Sequence, residues 1–401
     1  MKIVFVSNYY NHHQASFSNA MRGISDVQYR FIATQEMEEE RKKMGWENDA
    51  LPDFVLPMYK CKETRSAAQR LINDADAVIF GLPGWRNFRL IQSRLKAAKL
   101  TFRYTERIYK KGIHRYEIPM QRIKQRFVGG KCPSMHLLCA SAYTAQDYAK
   151  TGCYLGRSYK WGYFPETKEY AIDELIGKKT SAAESFISIL WAGRLISWKH
   201  PEFAIGVAEK LLDKGYAFKM SIIGNGEMED SLRKEIVEKK LENCVELLGA
   251  MTPDEVRTHM EKTDIYLFTS DFNEGWGAVL NEAMNSGCAV VASHAVGSAP
   301  FLIQSGENGL IYESGNKTEL ETQVERLIQN DALRRSMGRN AYFTIHSLWN
   351  GEIAAQRLYE LAKSMKNGTT VQLPENGPCS RAEVLQNDWY GKTCDAVEEM
   401  R

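Results

Sequence analysis

The sequence predicts an α/β protein of two Rossmann-like, doubly wound domains facing a central cleft. The first sign is length, since 401 residues exceed what one growing core usually holds. The second is the alternation of short β-branched runs with amphipathic stretches, the mark of βαβ units and a parallel sheet. The third is that the alternation occurs twice.

In the first half the runs are Lys2 to Val6, Gln28 to Ile32, Ala77 to Phe80, Leu100 to Tyr104 and Met135 to Cys139. In the second they are Phe186 to Trp191, Phe218 to Ile223, Val245 to Leu248, Ile265 to Phe268, Ala289 to Ala292 and Gly309 to Tyr312. Thr252-Pro253-Asp254-Glu255 combines a threonine cap, proline at the first helical position and a glutamate three residues on, so a helix is expected there. Glu174 to Ser185 is polar and aperiodic and reads as the join. The expected organisation is a first domain over 1–178, a linker over 179–185 and a second domain over 186–345. A closing amphipathic helix over 346–366 and an unassigned tail over 367–401 follow.

With 44% apolar and 25% charged residues, the composition is neither disordered nor membrane-spanning. The apolar run at the N-terminus is four residues long before Ser7-Asn8, far short of a signal peptide, so a cytoplasmic location is expected. The eight cysteines show no CxxC spacing, and neither disulfides nor a zinc site is expected. Charge is unevenly divided: residues 1–180 carry 30 Lys and Arg against 18 Asp and Glu (+12), and the remainder carries 22 against 32 (−10). The bias peaks over residues 86–131, where 14 basic side chains face only Glu106 and Glu117. Such a segment suits an anionic membrane surface, on the inner face of the cytoplasmic membrane, or a phosphorylated acceptor; a solvated basic surface is the plain alternative. No zinc-finger, basic-zipper or RNA-recognition signature accompanies the charge, so nucleic acid is not expected.

Two open α/β sheets place ligands at the carboxyl ends of their strands. At one such end stands Ser270-Asp271-Phe272-Asn273-Glu274-Gly275-Trp276-Gly277-Ala278-Val279, with Glu282 further on. Gly275 and Gly277 permit close backbone approach, and the amides around Ala278 and Val279 at a helix start suit an anion. Glu274 is placed to accept from sugar hydroxyls and Glu282 from ribose hydroxyls. Directly after another strand comes Gly193-Arg194-Leu195-Ile196-Ser197-Trp198-Lys199, where Arg194 offers a planar fork and Lys199 a mobile point charge to a diphosphate. Gly224-Asn225-Gly226 alone suggests a dinucleotide site, but Glu229 stands where the third glycine belongs, which disfavours a nicotinamide enzyme.

Together these stretches resemble the family 4 retaining glycosyltransferases of the GT-B fold, commonly found in bacterial surface polysaccharide assembly. The resemblance rests on Gly193-Arg194-Leu195 with Lys199, Ile222-Ile223-Gly224-Asn225-Gly226, Glu274 and Glu282 with Gly275-x-Gly277, and Gly287-Cys288-Ala289-Val290-Val291-Ala292. It implies that Arg194, Lys199 and Glu274 are catalytic and that Gly193, Gly224, Asn225, Gly275, Trp276, Gly277, Ala278, Val279 and Glu282 bind the donor. It also implies that the chain crosses back to the first domain near Trp349. No Asp-x-Asp pair flanked by apolar residues is present to hold a divalent ion, so the expected reaction is metal-independent, without a cofactor, from a UDP- or GDP-linked sugar to a saccharide or a lipid-diphosphate-linked acceptor. Retention of configuration is implied by the resemblance alone.

The first half departs from the family pattern. Asn8-Tyr9-Tyr10-Asn11-His12-His13-Gln14 replaces a glycine-rich loop, and Phe102-Arg103-Tyr104-Thr105-Glu106-Arg107 stands where many members have a histidine. Asn11, His13, Glu106 and Arg107 are the candidates for the acceptor side. The rival readings are a nucleotide-sugar 2-epimerase of the same fold and a non-catalytic two-lobed sugar-binding protein.

Overall fold

The computed structural model describes residues 1–39, 51–81, 88–110, 112, 114, 116–179, 186–370 and 372–391. The chain divides into two compact units. One is Met1–Glu166 with Trp349–Gln386; the other is Thr167–Leu348 with the described part of Asn387–Arg401.

The first unit is built on a parallel sheet of β1 (Lys2–Ser7), β2 (Gln28–Ala33), β3 (Val55–Pro57), β4 (Ala77–Phe80), β5 (Thr101–Thr105), β6 (Met135–Cys139) and β7 (Ser158–Lys160), in the order β3-β2-β1-β4-β5-β6-β7. Its central strands β1 and β4 read as apolar runs, as strands covered on both faces do. Val4, Val6, Val78, Phe80 and Leu137 fill one face of the core together with Ile72 and Tyr148. The order turns back between β1 and β4, the switch point where the carboxyl ends of α/β strands open a crevice.

Two short strands escape the pattern of the sequence. β3 is three residues ending in proline, and β7 is Ser-Tyr-Lys with no β-branched run. The tail covers the exposed edge of β7: Cys379 N donates to Lys160 O (2.9 Å), Lys160 N to Ser380 O (2.8 Å) and Ala382 N to Ser158 O (3.0 Å). An edge strand paired in this way no longer offers free amides to another chain. The helix Gly351–Asn367 packs on His12–Gly23, where Gly351 lets the backbones approach; a Cβ there would meet Ser16 Oγ at 2.4 Å.

The second unit repeats the plan with β8 (Ile187–Ala192), β9 (Phe218–Ile223), β10 (Val245–Gly249), β11 (Ile265–Phe268), β12 (Ala289–Ser293) and β13 (Leu310–Tyr312), all parallel in the order β10-β9-β8-β11-β12-β13. The switch point lies between β8 and β11. The expected cap forms at Pro253–Met260: Glu255 N donates to Thr252 Oγ1 (3.4 Å) and Thr252 N to Glu255 Oε2 (2.8 Å).

The join differs from the reading of the sequence. Ile172–Lys179 is a helix of the second unit, with Ile172 and Ile176 packed on Tyr342. Lys179, placed in the linker by its polarity, is buried and donates to the carbonyls of Met260 (3.2 Å) and Ser286 (2.6 Å). Residues 167–170 also belong here, since Lys168 N donates to Asn285 Oδ1 (2.8 Å) and Tyr170 OH to Glu261 Oε1 (2.6 Å). Residues 180–185 lie outside the described part. At the other end, His294 accepts from Ser314 N at Nδ1 (2.9 Å), which leaves Nε2–H to donate to Asn387 O (3.1 Å) and fixes residues 387–391 on this unit.

Candidate functional site

The loops that follow β8 and β11 meet at the switch point of the second sheet. Thr269, the first residue after β11, ties them together. Its hydroxyl accepts from Trp191 Nε1 (2.8 Å) and shares its proton between the carbonyls of Lys199 (2.7 Å) and His200 (2.9 Å). Asp271 N donates to Trp198 O (3.0 Å), a second crosslink. Held this way, the single 3-10 turn Ser197–Lys199 directs the Lys199 ammonium onto the Glu274 carboxylate, with both side chains largely buried. Ser270 Oγ donates to the same carboxylate oxygen, Glu274 Oε2 (3.0 Å).

Trp198 lies under both cations. Lys199 Nζ is 4.8 Å from its ring centroid and Arg194 Cζ 5.8 Å, while Lys199 Nζ also lies 5.5 Å from the Phe268 ring. Arg194 is otherwise exposed. Trp198 and Ser270 stand inside the quoted stretches and Thr269 directly before one, yet the sequence assigns them no role; their contacts are tertiary and leave no local pattern.

The glycines do separate things. Gly224 has φ +139° and a Cβ there would lie 1.8 Å from Gly193 O; at Gly226 it would lie 2.3 Å from Leu195 O. The loops after β8 and β9 therefore touch backbone to backbone, sealed by Leu195 N donating to Asn225 O (2.8 Å). Gly277, at φ +81°, sits against Phe268, with a Cβ clash at 2.5 Å. Trp276, expected among the donor contacts, is instead a core anchor: its ring is fully buried and Nε1 donates to Asn281 Oδ1 (2.8 Å). The helix Val279–Asn285 starts at Ala278 without a side-chain cap, and Leu280 N turns back to donate to Gly277 O (3.0 Å). Glu282 stands one turn in. Burial pushes its carboxyl up to about 7, against the opposing pull of Arg257 and Lys168.

The four acceptor-side candidates do not behave alike. Asn11 is buried as a helix cap, accepting from His13 N (3.1 Å) while Gln14 Oε1 accepts from Asn11 N (3.3 Å). Arg107 is an internal strut. Its guanidinium forks onto Asp147 at 3.2 Å through both Nε and Nη2, and Asp147 also accepts from the amides of Ile108 (2.9 Å) and Tyr109 (3.0 Å). Both side chains are engaged within the first unit. His13 stacks on Tyr163 (5.8 Å), and Tyr163 OH donates to Glu106 Oε1 (2.6 Å), so these three share one corner of the first unit. Glu106 also pairs with Lys110.

Two parallel units in Rossmann order, the second carrying glycine-lined turns and converging charged groups at its strand ends, define a protein of the GT-B fold. Residues 173–343 match the family model described as glycosyl transferases group 1, a stretch that takes in every donor-side residue named above. The chain is 30% identical over 193 residues to the amylovoran biosynthesis glycosyltransferase AmsK of Erwinia amylovora, covering 47% of each chain. It is also 30% identical over 172 residues to the poly(ribitol-phosphate) alpha-N-acetylglucosaminyltransferase of Staphylococcus aureus, covering 43% of this chain and 34% of that one. The matched stretch therefore spans less than half of either relative. Among solved structures, Anabaena Alr3699/HepE in complex with UDP and glucose superposes with a TM-score of 0.63 at 16% identity, over 91% of this chain and 100% of that one. Staphylococcus aureus TarM does so with a TM-score of 0.64 at 13% identity, over 90% and 99%. These structural likenesses show the fold.

Proposed function

We propose that this protein is a glycosyltransferase that moves a sugar from a nucleotide diphosphate sugar, UDP- or GDP-linked, to a saccharide or lipid-linked acceptor. The observation that carries the reading is the meeting of Arg194, Lys199 and Glu274 at the switch point of the second unit, from loops 75 residues apart. When the bond between the sugar and the diphosphate breaks, negative charge grows on the leaving oxygens. Arg194 and Lys199 supply preorganised positive charge there, the role a metal ion plays elsewhere. Glu274, oriented by Ser270 and Lys199, accepts from hydroxyls of the donor sugar, and Glu282 accepts from the ribose.

In this reading the acceptor oxygen attacks the anomeric carbon from the face the diphosphate leaves. Its proton passes to the departing phosphate oxygen, which retains configuration. Incubating the protein with a panel of nucleotide sugars and acceptors, with and without EDTA, and identifying products by mass spectrometry tests each part. Transfer of the sugar supports the reading, epimerised donor supports the epimerase, and binding without turnover supports the two-lobed binder.

Peripheral contact with an anionic membrane is part of the same proposal. Around the helix Glu117–Phe127, Tyr116, Met120, Ile123 and Phe127 lie on one stripe, and each is more than half exposed. Arg122, Lys124 and Arg126 stand beside them, the composition of a helix that lies in a bilayer interface. The basic segment contributes less than its charge count implies, since Arg94, Arg103 and Arg107 are buried; Arg86, Lys111 and Arg115 lie outside the described residues. No described helix is long and apolar enough to cross a membrane. Sedimentation with anionic vesicles that fades with salt and with Met120→Ser/Ile123→Ser/Phe127→Ser supports this contact; equal sedimentation of wild type and variant removes it.

A further inference from the structure

The three buried arginines of the first unit are not buried on equal terms. Arg94 donates to the carbonyls of Ile72 (2.6 Å), Ala75 (3.0 Å) and Leu100 (2.6 Å) and to Thr101 Oγ1 (3.2 Å). Arg107 faces the carboxylate of Asp147. Arg103, on β5, has neither arrangement. Its Nη1 donates to the neutral amide oxygen of Gln125, and its Nε has no acceptor. Its other neighbours are the Tyr148 ring, 5.1 Å from Cζ, and the Tyr154 hydroxyl, both uncharged. No carboxylate among the described residues pairs with it. A guanidinium more than nine-tenths withdrawn from water is costly to hold without counter-charge, and a buried polar group without a partner calls for one.

Arg103 lines a cavity of about 360 Å³ at the carboxyl end of β5, together with Gly81, Glu106, Lys124 and Tyr163. The charges around it do not cancel. Glu106 is engaged by Lys110 and by the Tyr163 hydroxyl, and Arg107 by Asp147. What remains is Arg103 and Lys124, the latter in no ion pair with the described residues. Two cations without counter-charge face one cavity.

We infer that this cavity binds an anionic group, a phosphate or a carboxylate, carried by the sugar acceptor. Arg103 offers its fork from the wall of the sheet and Lys124 a point charge from the helix Glu117–Phe127. The volume suits one sugar ring with its charged substituent. The inference rests on the reading of the first unit as the acceptor side, and it names the acceptor class: a charged rather than a neutral sugar.

Calorimetry on the full chain held in saturating UDP tests it, with glucose, glucose 1-phosphate and glucuronate as probes. At least one charged sugar is expected to bind on the order of tenfold or more tighter than glucose, the scale of one charge-assisted hydrogen bond. Which of the two binds tells phosphate from carboxylate. Lys124→Ala, on an exposed helix face, should erase the preference and leave UDP affinity unchanged. Arg103→Met should also erase it without lowering the melting temperature, because it removes an uncompensated charge. Equal binding of all three sugars, or an unaltered preference in Lys124→Ala, overturns the inference. Failure of both UDP and GDP to bind sinks the glycosyltransferase reading instead, so the two failures are distinct.

Discussion

Lys199 and Glu274 form an ion pair whose side chains are 13% and 10% exposed, and each reaches the other from the carboxyl end of a different strand. The pair joins a group assigned to the leaving diphosphate with one assigned to the donor sugar. Removing either leaves the other charge largely buried without its counter-charge. Lys199→Ala and Glu274→Ala should each cost on the order of 2–3 kcal/mol of stability, and the double variant less than the sum. Turnover should fall on the order of a hundredfold in Lys199→Ala, the scale of losing one preorganised donor. Chemical denaturation and steady-state kinetics on the three variants measure both. Additive stability losses would refute the coupling.

Arg194 makes a contrasting case. It is exposed, and its nearest described partner is the face of Trp198. Arg194→Ala should therefore leave the melting temperature within about 1–2 °C of wild type, as surface changes usually do, while kcat drops on the order of a hundredfold. A variant that kept full turnover while folding normally would remove Arg194 from the diphosphate site.

Glu282 sets a pH dependence. Its carboxyl is raised from the usual 4.5 to about 7 by burial, so the neutral acid dominates below that value. A carboxylate accepts two hydroxyl donors better than a carboxylic acid does, so the donor KM should fall as pH rises from about 6 to about 8. The stability term has the opposite sign. The folded state holds the proton more tightly than the unfolded one, so this contribution is full below the ordinary carboxyl value and is lost as pH rises through about 7. Glu282→Gln should flatten both profiles. An unchanged KM profile in that variant would mean another group titrates.

Most of the fold was legible because buried parallel strands are continuous apolar runs: β11 reads Ile-Tyr-Leu-Phe and β12 Ala-Val-Val-Ala-Ser. The candidate donor-side residues stand out one at a time because glycine, arginine and glutamate follow strands. Their pairing was not, since nothing local ties Lys199 to Glu274. The helix Ile172–Lys179 was hidden because Gly177-Lys178-Lys179 looks like a loop until Lys179 finds carbonyls 81 and 107 residues away. The ion pair of Arg107 was hidden for the same reason: its partner Asp147 lies 40 residues on.

Arg107 and Asp147 yield the next expectation. The side chains are 1% and 0% exposed, and Asp147 also anchors the amides of Ile108 and Tyr109. Arg107→Ala should lose about 3–5 kcal/mol, the usual cost of stranding one partner of a buried pair. Because the strut shapes the loop after β5, activity should fall only as far as folding does. A stable Arg107→Ala protein with a raised acceptor KM would return Arg107 to the acceptor side.

Gly277 links backbone conformation to chemistry. At φ +81° an L side chain is strained, and a Cβ would approach Phe268 Cζ to 2.5 Å, so Gly277→Ala must move either the loop or the ring. The Phe268 ring lies 5.5 Å from Lys199 Nζ, and the loop carries Glu274 three residues earlier. Either displacement reaches the ion pair. The strain alone should cost about 1–2 kcal/mol. A misplacement near 1 Å is enough to slow a positioned reaction on the order of a hundredfold. Gly277→Ala should therefore lose far more kcat than its modest drop in melting temperature explains, with glycine-free neighbours such as Asn273→Ala as the control for loop damage. A variant that lost only stability, with kcat intact for the folded fraction, would show that the glycine serves the fold and not the geometry of Lys199 and Glu274.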